Sequence, residues 1–413
     1  MDDSADRDGR SRERDMEVGV SVEARNGVAE KPAAVRKICI VGLDDYALLS
    51  GEPQGRTIGG ETVQRVLLAR AWRDLGVQVS VIVHSAPQGT RREIDGITTI
   101  AAHGRDDGVP MLRFVHPRMT RLLGALIAAD ADVYYQSCAG VHTGLTSWFC
   151  RSAGKRFVYR VASDVDCLPG RQLIKFWRDR KLFEYGLRRA DLVAAQTAHQ
   201  AKLLMEHYCV GSSVVNLAVD MPERESRAHK DIDVLWVSNL QPVKRPELAL
   251  ELARRMPDVR FTLAGGPMPH FQAYYEDVLE AAARLKNVTV AGLVRYADIG
   301  SYFDRARVFL NTSSVEGFPN TFLQSWARGV PVVSFFDPDG LVQKRQLGWT
   351  ANSLEDMREA IAGLFADEAR REEAGKRARA FARAEFTPSA VAGRYLELLS
   401  AYEQPRLRFG TTG

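Results

Sequence analysis

The chain has 413 residues, 45% hydrophobic and 26% charged, a balance that supports two buried cores and excludes a wholly disordered polymer. A formal net charge of +4, with no run of Lys and Arg interleaved with aromatics, argues against nucleic acid as a partner. The five cysteines, Cys39, Cys138, Cys150, Cys167 and Cys209, are widely spaced with no C-x-x-C pair, so they read as reduced thiols rather than as a zinc or disulfide framework.

Residues 1–34 mix both charge signs with few large apolar residues and are expected to be a disordered extension. They lack the apolar core of a secretory signal, and no window approaches the roughly 20 apolar residues of a membrane span, so a cytoplasmic location is expected. From Arg36 onward short apolar runs alternate with amphipathic helical stretches, the pattern of parallel sheets flanked by helices. KICIVG, VQVSVIV, DVYYQSC, KRFVYRVAS, DLVAAQT and SSVVN read as strands of a first domain over 35–217. ETVQRVLLARAWRDLG reads as a helix ended by Gly76.

Periodicity is lost and charge rises over 218–231, which places a linker there. DVLWVSNL, VRFTLAGG, NVTVAGLV, RVFLNTS and PVVSF are then the strands of a second domain over 232–386, with Pro246 near a helix start. The last helical stretches run from about Ser353 to Gln404 without intervening strands. Those beyond residue 386 are expected to form a helix returning to the first domain, followed by a tail ending at 413. The expected fold is α/β, with two Rossmann-like doubly wound domains facing across a cleft and ligands beyond the carboxyl ends of the strands.

The most informative stretch is NTSSVEGFPNTFLQSWARGVPVVSF, residues 311–335. Glu316 falls in a loop after a strand, and Gly317, Pro319 and Asn320 lead into a helix. Free N–H groups at such a helix start attract an anion, of which a sugar diphosphate is one. A capped turn with a structural carboxylate has the same local signature. The segment EGFPNTFLQSWARGVPVV resembles the retaining glycosyltransferases of family 4 (glycosyl transferases group 1), with the resemblance running from about 37 to 400. It implies the GT-B fold and sugar transfer from a nucleotide-sugar donor to a hydroxyl acceptor, with retained anomeric configuration, in polysaccharide, glycolipid or glycoconjugate biosynthesis.

The family places a glutamate against the donor sugar and, after seven intervening residues, a second glutamate against the ribose. Glu316 matches the first. Gln324 stands at the second, where its amide accepts one hydrogen bond and donates another without the charge. Phe318 and Thr321 fall in the same donor-binding stretch. In SNLQPVKRPE, Lys244 matches the family's diphosphate lysine, Arg245 adds a neighbouring cation, and Asn239 replaces an arginine that would have made a bidentate fork. Gly59 and Gly60 match a cleft Gly-Gly pair, where backbone approaches ligand closely. Leu293 and Val294 of GLVR stand where relatives seat the base; core packing explains them equally well.

Asp164 and Asp166 in SDVDC form a D-x-D, a pattern that holds a divalent ion in another glycosyltransferase fold. The resemblance implies no metal and no cofactor beyond the nucleotide-sugar, with Lys244 and a helix dipole offsetting phosphate charge. It leaves Asp164 to orient the acceptor, so Glu316, Lys244 and Asp164 are the expected catalytic residues. Gln136 and Ser137, and Ala162 and Ser163, occupy first-domain loops where relatives have histidines, so no histidine relay is expected. RQLIKFWRDRKLFEYGLRRA, residues 171–190, is basic and aromatic, which fits either an inward-packed charged helix or peripheral contact with a membrane bearing a lipid-linked sugar acceptor. A non-catalytic sugar-nucleotide scaffold and a GT-B-fold epimerase or phosphorylase are the competing functional readings.

Overall fold

The computed structural model describes residues 35–52, 58–84, 90–109, 114–268 and 270–401. The expected extension at 1–34 and the tail after 401 lie outside the described residues. The first sheet comprises β1 (Lys37–Val41), β2 (Gln78–Val83), β3 (Arg91–Ile94), β4 (Ile97–Ala101), β5 (Val133–Ser137), β6 (Arg156–Arg160), β7 (Leu192–Ala195) and β8 (Ser213–Val214). Its spatial order is β3-β4-β2-β1-β5-β6-β7-β8. The interleaved helices are α1 (Tyr46–Ser50), α2 (Gly60–Asp74), α3 (Thr120–Ala129), α4 (Val141–Ala153), α5 (Trp177–Leu187) and α6 (Ala198–Tyr208).

The second sheet comprises β9 (Ile232–Val237), β10 (Phe261–Ala264), β11 (Val288–Gly292), β12 (Ala306–Asn311), β13 (Val332–Ser334) and β14 (Gly348–Thr350). They are ordered β11-β10-β9-β12-β13-β14, all parallel. Its helices are α7 (Pro246–Arg255), α8 (Gln272–Ala283), α9 (Tyr296–Arg305), α10 (Asn320–Ala327), α11 (Leu341–Lys344), α12 (Leu354–Ala366) and α13 (Glu368–Glu385), and α14 (Pro388–Ala401) follows them in the chain.

Strands buried on both faces need near-continuous apolar runs: Ile38 to Val41 of β1 are buried, and so are Ile232 to Trp236 of β9, where the one polar residue, Asp233, is bonded to Arg260. Local signals set the helix starts. Pro246 opens α7 where no amide hydrogen is needed, and Ser353 and Asp356 form a reciprocal capping box on α12. Three strands escaped the sequence reading. β3 and β4 form a hairpin at the sheet edge, with β3 antiparallel to β4, and β14 is only three residues long. Short, edge-placed and polar strands carry little periodicity. The basic helix also differs from expectation: α5 begins at Trp177, leaving 171–176 irregular.

The linker is not solvated throughout. Leu217, Ala218 and Val219 are buried, Leu217 and Val219 within the second core, Asp220 is exposed, and a continuous exposed run covers 223–229. After α13 packs on the second domain against α10, α14 crosses to the first and lies on α2. Its Val391, Ala392, Tyr395 and Leu399 join the first-domain core. Trp72 of α2 donates its indole N–H to the Ala392 carbonyl at 3.1 Å and meets Tyr135 and Tyr395 edge-on at centroid distances of 5.6 and 5.7 Å. Such aromatic contacts add about 0.5–1.5 kcal/mol each beyond area burial. No helix among the described residues is long and apolar enough to cross a membrane.

Candidate functional site

A cavity of about 540 Å³ lies at the carboxyl edge of both sheets, walled by α2 and the β6 and β7 loops on one side and the loops after β9, β11 and β12 on the other. The size is that of a small-ligand site. Gly59, Gly60, Asn239, Lys244, Leu293, Val294, Glu316, Gly317, Phe318, Pro319, Asn320, Thr321 and Gln324 all line it.

At its centre the Lys244 ammonium lies 2.7 Å from Glu316 Oε1, with both side chains largely buried. Asn311 approaches the same oxygen at 3.5 Å. The Lys244 loop is pinned from behind: Thr312 Oγ1 donates to the Lys244 or Arg245 carbonyl, at 2.8 and 2.9 Å, and accepts the Trp236 indole N–H at 2.9 Å. The start of α10, with no acidic residue in its first turn, opens into the cavity beside this pair, so its free N–H groups and the ammonium present one anion-binding surface. Leu293 is half-exposed and available to a ligand. Gln324 neighbours Tyr296.

Two expected residues are not in the lining. Arg245 adopts a left-handed backbone (φ 51°) between a 3-10 turn and α7, and its guanidinium turns away over the Phe335 ring, 5.5 Å from the centroid. Asp164 sits in the turn after β6, where Gln200 Nε2 donates to it at 2.9 Å. Burial raises its pKa. Asp166, its D-x-D partner, is buried and accepts from the Ala162 amide at 3.3 Å, and burial pushes its pKa up to about 6. Among the described residues no group of three or more His, Cys, Asp and Glu side chains has an arrangement that holds a metal ion.

The structure brings in residues that sequence reading missed. Gln196 bridges the walls: its Oε1 accepts from Phe318 N at 2.7 Å, while its Nε2 donates to Val161 O at 2.9 Å and reaches Glu61 Oε1 at 3.2 Å. Glu61 lines the cavity and is backed by the fully buried Arg160 at 3.3 Å. Gln64 Nε2 donates to Asn320 Oδ1 at 2.7 Å, a second tie across the cleft. These approaches explain two glycines. A methyl group on Gly60 would collide with the Asn320 side chain, and one on Gly317 would come within 2.7 Å of Gln196 Oε1. The position of Glu61, directly after the Gly-Gly pair, was the one available signal; the glutamines carried none.

No histidine lines the donor cavity among the described residues. His84, His103 and His142 come together at a second, first-domain cavity, from the loops after β2 and β4 and from α4. Their loops differ from the two inspected in sequence, which is why the cluster was not legible there.

Residues 231–367 match the family model described as glycosyl transferases group 1. Over 104 residues the chain is 30% identical to D-inositol 3-phosphate glycosyltransferases of Mycobacterium bovis and Mycobacterium tuberculosis, a stretch covering 24% of this chain and 22% of theirs. The alignment thus spans about a fifth of the length of those curated relatives. Sucrose-phosphate synthase from Thermosynechococcus elongatus superposes with a TM-score of 0.70 at 16% identity, covering 88% of this chain and 98% of that one. HepE from Anabaena, solved in complex with UDP and glucose, gives 0.69 at 16% identity, covering 89% and 100%. At such identities the likeness concerns the fold, and both sheets are included in it. Residues 231–367 thus resemble the glycosyl transferases group 1 model, in a chain that has the GT-B fold.

Proposed function

We propose that this protein transfers a sugar from a nucleotide-sugar donor to a hydroxyl acceptor, retaining anomeric configuration and using no metal ion. The observation that carries the reading is the Lys244–Glu316 pair, 2.7 Å apart at the mouth of α10 in a cavity walled by both domains. A diphosphate arriving there draws on Lys244 and the α10 amides, and Glu316, partly released, accepts hydrogen bonds from the sugar hydroxyls. Gln324 takes the ribose, and Leu293 and Val294 the base. HepE, of similar fold, was solved with UDP and glucose, which supports a nucleotide of that kind.

In the reaction the acceptor oxygen bonds to the anomeric carbon on the face from which the phosphate leaves. The bond from anomeric carbon to phosphate oxygen breaks, and the departing nucleoside diphosphate takes the acceptor proton. Lys244 and the α10 start stabilise the charge that develops on it. The cross-cleft ties through Gln196 and Gln64 hold the walls together and limit water.

A thermal-shift screen of UDP-, GDP-, ADP- and dTDP-sugars, with and without magnesium, tests the donor site. One donor class is expected to raise the Tm without magnesium, and Lys244→Ala to abolish the shift. A shift strictly dependent on magnesium, or none with any donor, overturns the reading. Donor binding without turnover on any hydroxyl acceptor supports the scaffold reading instead.

A further inference from the structure

The second cavity, about 1080 Å³, opens at the carboxyl edge of the first sheet alone. It shares α2 with the donor cavity: Gly60, Glu61 and Val63 face the one and Arg65 the other. Its polar lining is unevenly matched. Arg65 pairs with Asp45, Arg105 with Asp44, and Arg178 with Asp179; Asp106 lies at the exposed rim. Arg118 has no carboxylate partner among the described residues. It donates from Nη2 to the Arg105 carbonyl at 2.7 Å, and its buried Nε is unpartnered.

The imidazoles are oriented by carbonyl groups. His84 Nδ1 lies 2.9 Å from the His103 carbonyl and His103 Nδ1 lies 2.9 Å from the Gly104 carbonyl. A carbonyl only accepts, so both Nδ1 atoms carry hydrogen; His84 Nε2 faces Asp44 Oδ1 at 3.5 Å, whereas His103 Nε2, in the neutral ring, is a lone-pair acceptor. His103 is 4% exposed and its buried Nε2 has no partner. Burial lowers the pKa of His84 and brings that of His142 down to about 4, which keeps those two rings neutral. The cavity therefore holds an unused hydroxyl acceptor at His103 and an unmatched cation at Arg118.

Its mouth has the opposite character. Phe176 and Trp177 belong to the lining yet are 54% and 76% exposed, and Leu173 beside them is 94% exposed. Arg171, Lys175 and Lys181 flank them along the chain, all exposed, with the Lys175 ammonium 5.6 Å from the Phe176 ring centroid and Lys181 paired with Glu184. Irregular chain over 171–176 turns these apolar side chains outward rather than onto α5. Exposed aromatics within a cationic collar are the chemistry of an anionic lipid interface.

We propose that this cavity seats the acceptor and that the acceptor is an anionic amphiphile, with a hydroxylated, phosphate-bearing headgroup against His103 and Arg118 and an apolar tail over Phe176 and Trp177. That its hydroxyl receives a sugar rests on the proposed transfer reaction; the binding itself does not.

The test uses the full chain with three probes: decyl phosphate, inorganic phosphate, and phosphatidylcholine vesicles with or without phosphatidate. Decyl phosphate is expected to raise the Tm where inorganic phosphate does not, and Arg118→Gln to weaken that shift. Vesicle binding is expected only with phosphatidate, and Phe176→Ser/Trp177→Ser to weaken it about tenfold. The two substituted residues are exposed, so loss of fold is not the cause. Equal shifts from both phosphates, binding to phosphatidylcholine alone, or unchanged binding by the double variant each overturn the proposal. The nucleotide-sugar shift in the same preparation separates the two failures: its presence without amphiphile binding sinks this inference and leaves the donor site standing.

Discussion

The two walls of the donor cavity are built in different ways. On the second-domain wall, Asn311, Glu316, Gly317 and Asn320 come from a single stretch, β12 to the start of α10, and Lys244 reaches them from one neighbouring loop. The first-domain wall takes Gly60, Glu61, Ala162 and Gln196 from three loops spread over more than a hundred residues. Its shape depends on buried pairs that no local pattern announces. Arg65 grips Asp45 through two hydrogen bonds, 2.8 and 2.7 Å, and Ser137 through a third at 2.9 Å. The second wall is thus locally encoded and chemically charged, whereas the first is a product of tertiary packing and supplies shape and cross-cleft ties.

The largest expected effect breaks the first wall. Arg65 and Asp45 are 7% and 1% exposed, and removing one member of a buried pair strands the other's charge, at a cost of about 3–5 kcal/mol. Arg65→Met is expected to lower the unfolding free energy in denaturant titration by that much, and Arg65→Met/Asp45→Leu to recover a large part of it. Equal losses in the single and double variants would mean that the pair is not what holds α2, and the contrast between the walls would lose its physical basis.

A smaller change sharpens the comparison by loosening the walls from each other. Gln196→Ala leaves the Phe318 N–H without its 2.7 Å acceptor and Glu61 without one of its two contacts. A buried donor left unsatisfied costs about 1–3 kcal/mol. Because the lost bond spans the cleft, the expected readout is a weakened donor shift, about tenfold in apparent affinity, with little change in the first domain's own unfolding. A fall in stability with donor affinity intact would show that Gln196 serves the first domain alone.

The same contrast explains what was legible beforehand. Two doubly wound halves showed in the apolar runs of β1, β2, β5, β6, β9, β10 and β12, because strands covered on both faces must be near-continuously apolar. Lys244, Glu316 and the residues to Gln324 showed because one loop and one helix start hold them in sequence order. Arg245 was misjudged because adjacency to Lys244 says nothing of direction, and a left-handed φ of 51° turns its side chain onto Phe335. Gln196, Gln64 and the three histidines stayed hidden since their meaning lies in partners far along the chain: Gln64 meets Asn320, 256 positions away.

The last expected effect is a pH dependence on the first wall. Burial raises Asp166 to about pH 6 in the folded chain, well above its ordinary value of 3.8. The folded state therefore holds this proton over a range where the unfolded chain has released it, so Asp166 costs stability above pH 6. That cost is relieved as pH falls from 6 toward 4, the reverse of a salt-bridged carboxylate. A shift of this size corresponds to at most about 3 kcal/mol. Asp166→Asn removes the titrating proton and should flatten the difference in unfolding free energy between pH 7 and pH 4.5, the wild-type chain gaining relative to the variant at the lower pH. A difference that stays constant across this range would mean that Asp166 keeps its charge through its bond to the Ala162 amide, and that the first wall carries a fixed negative site behind Glu61 instead of a neutral one.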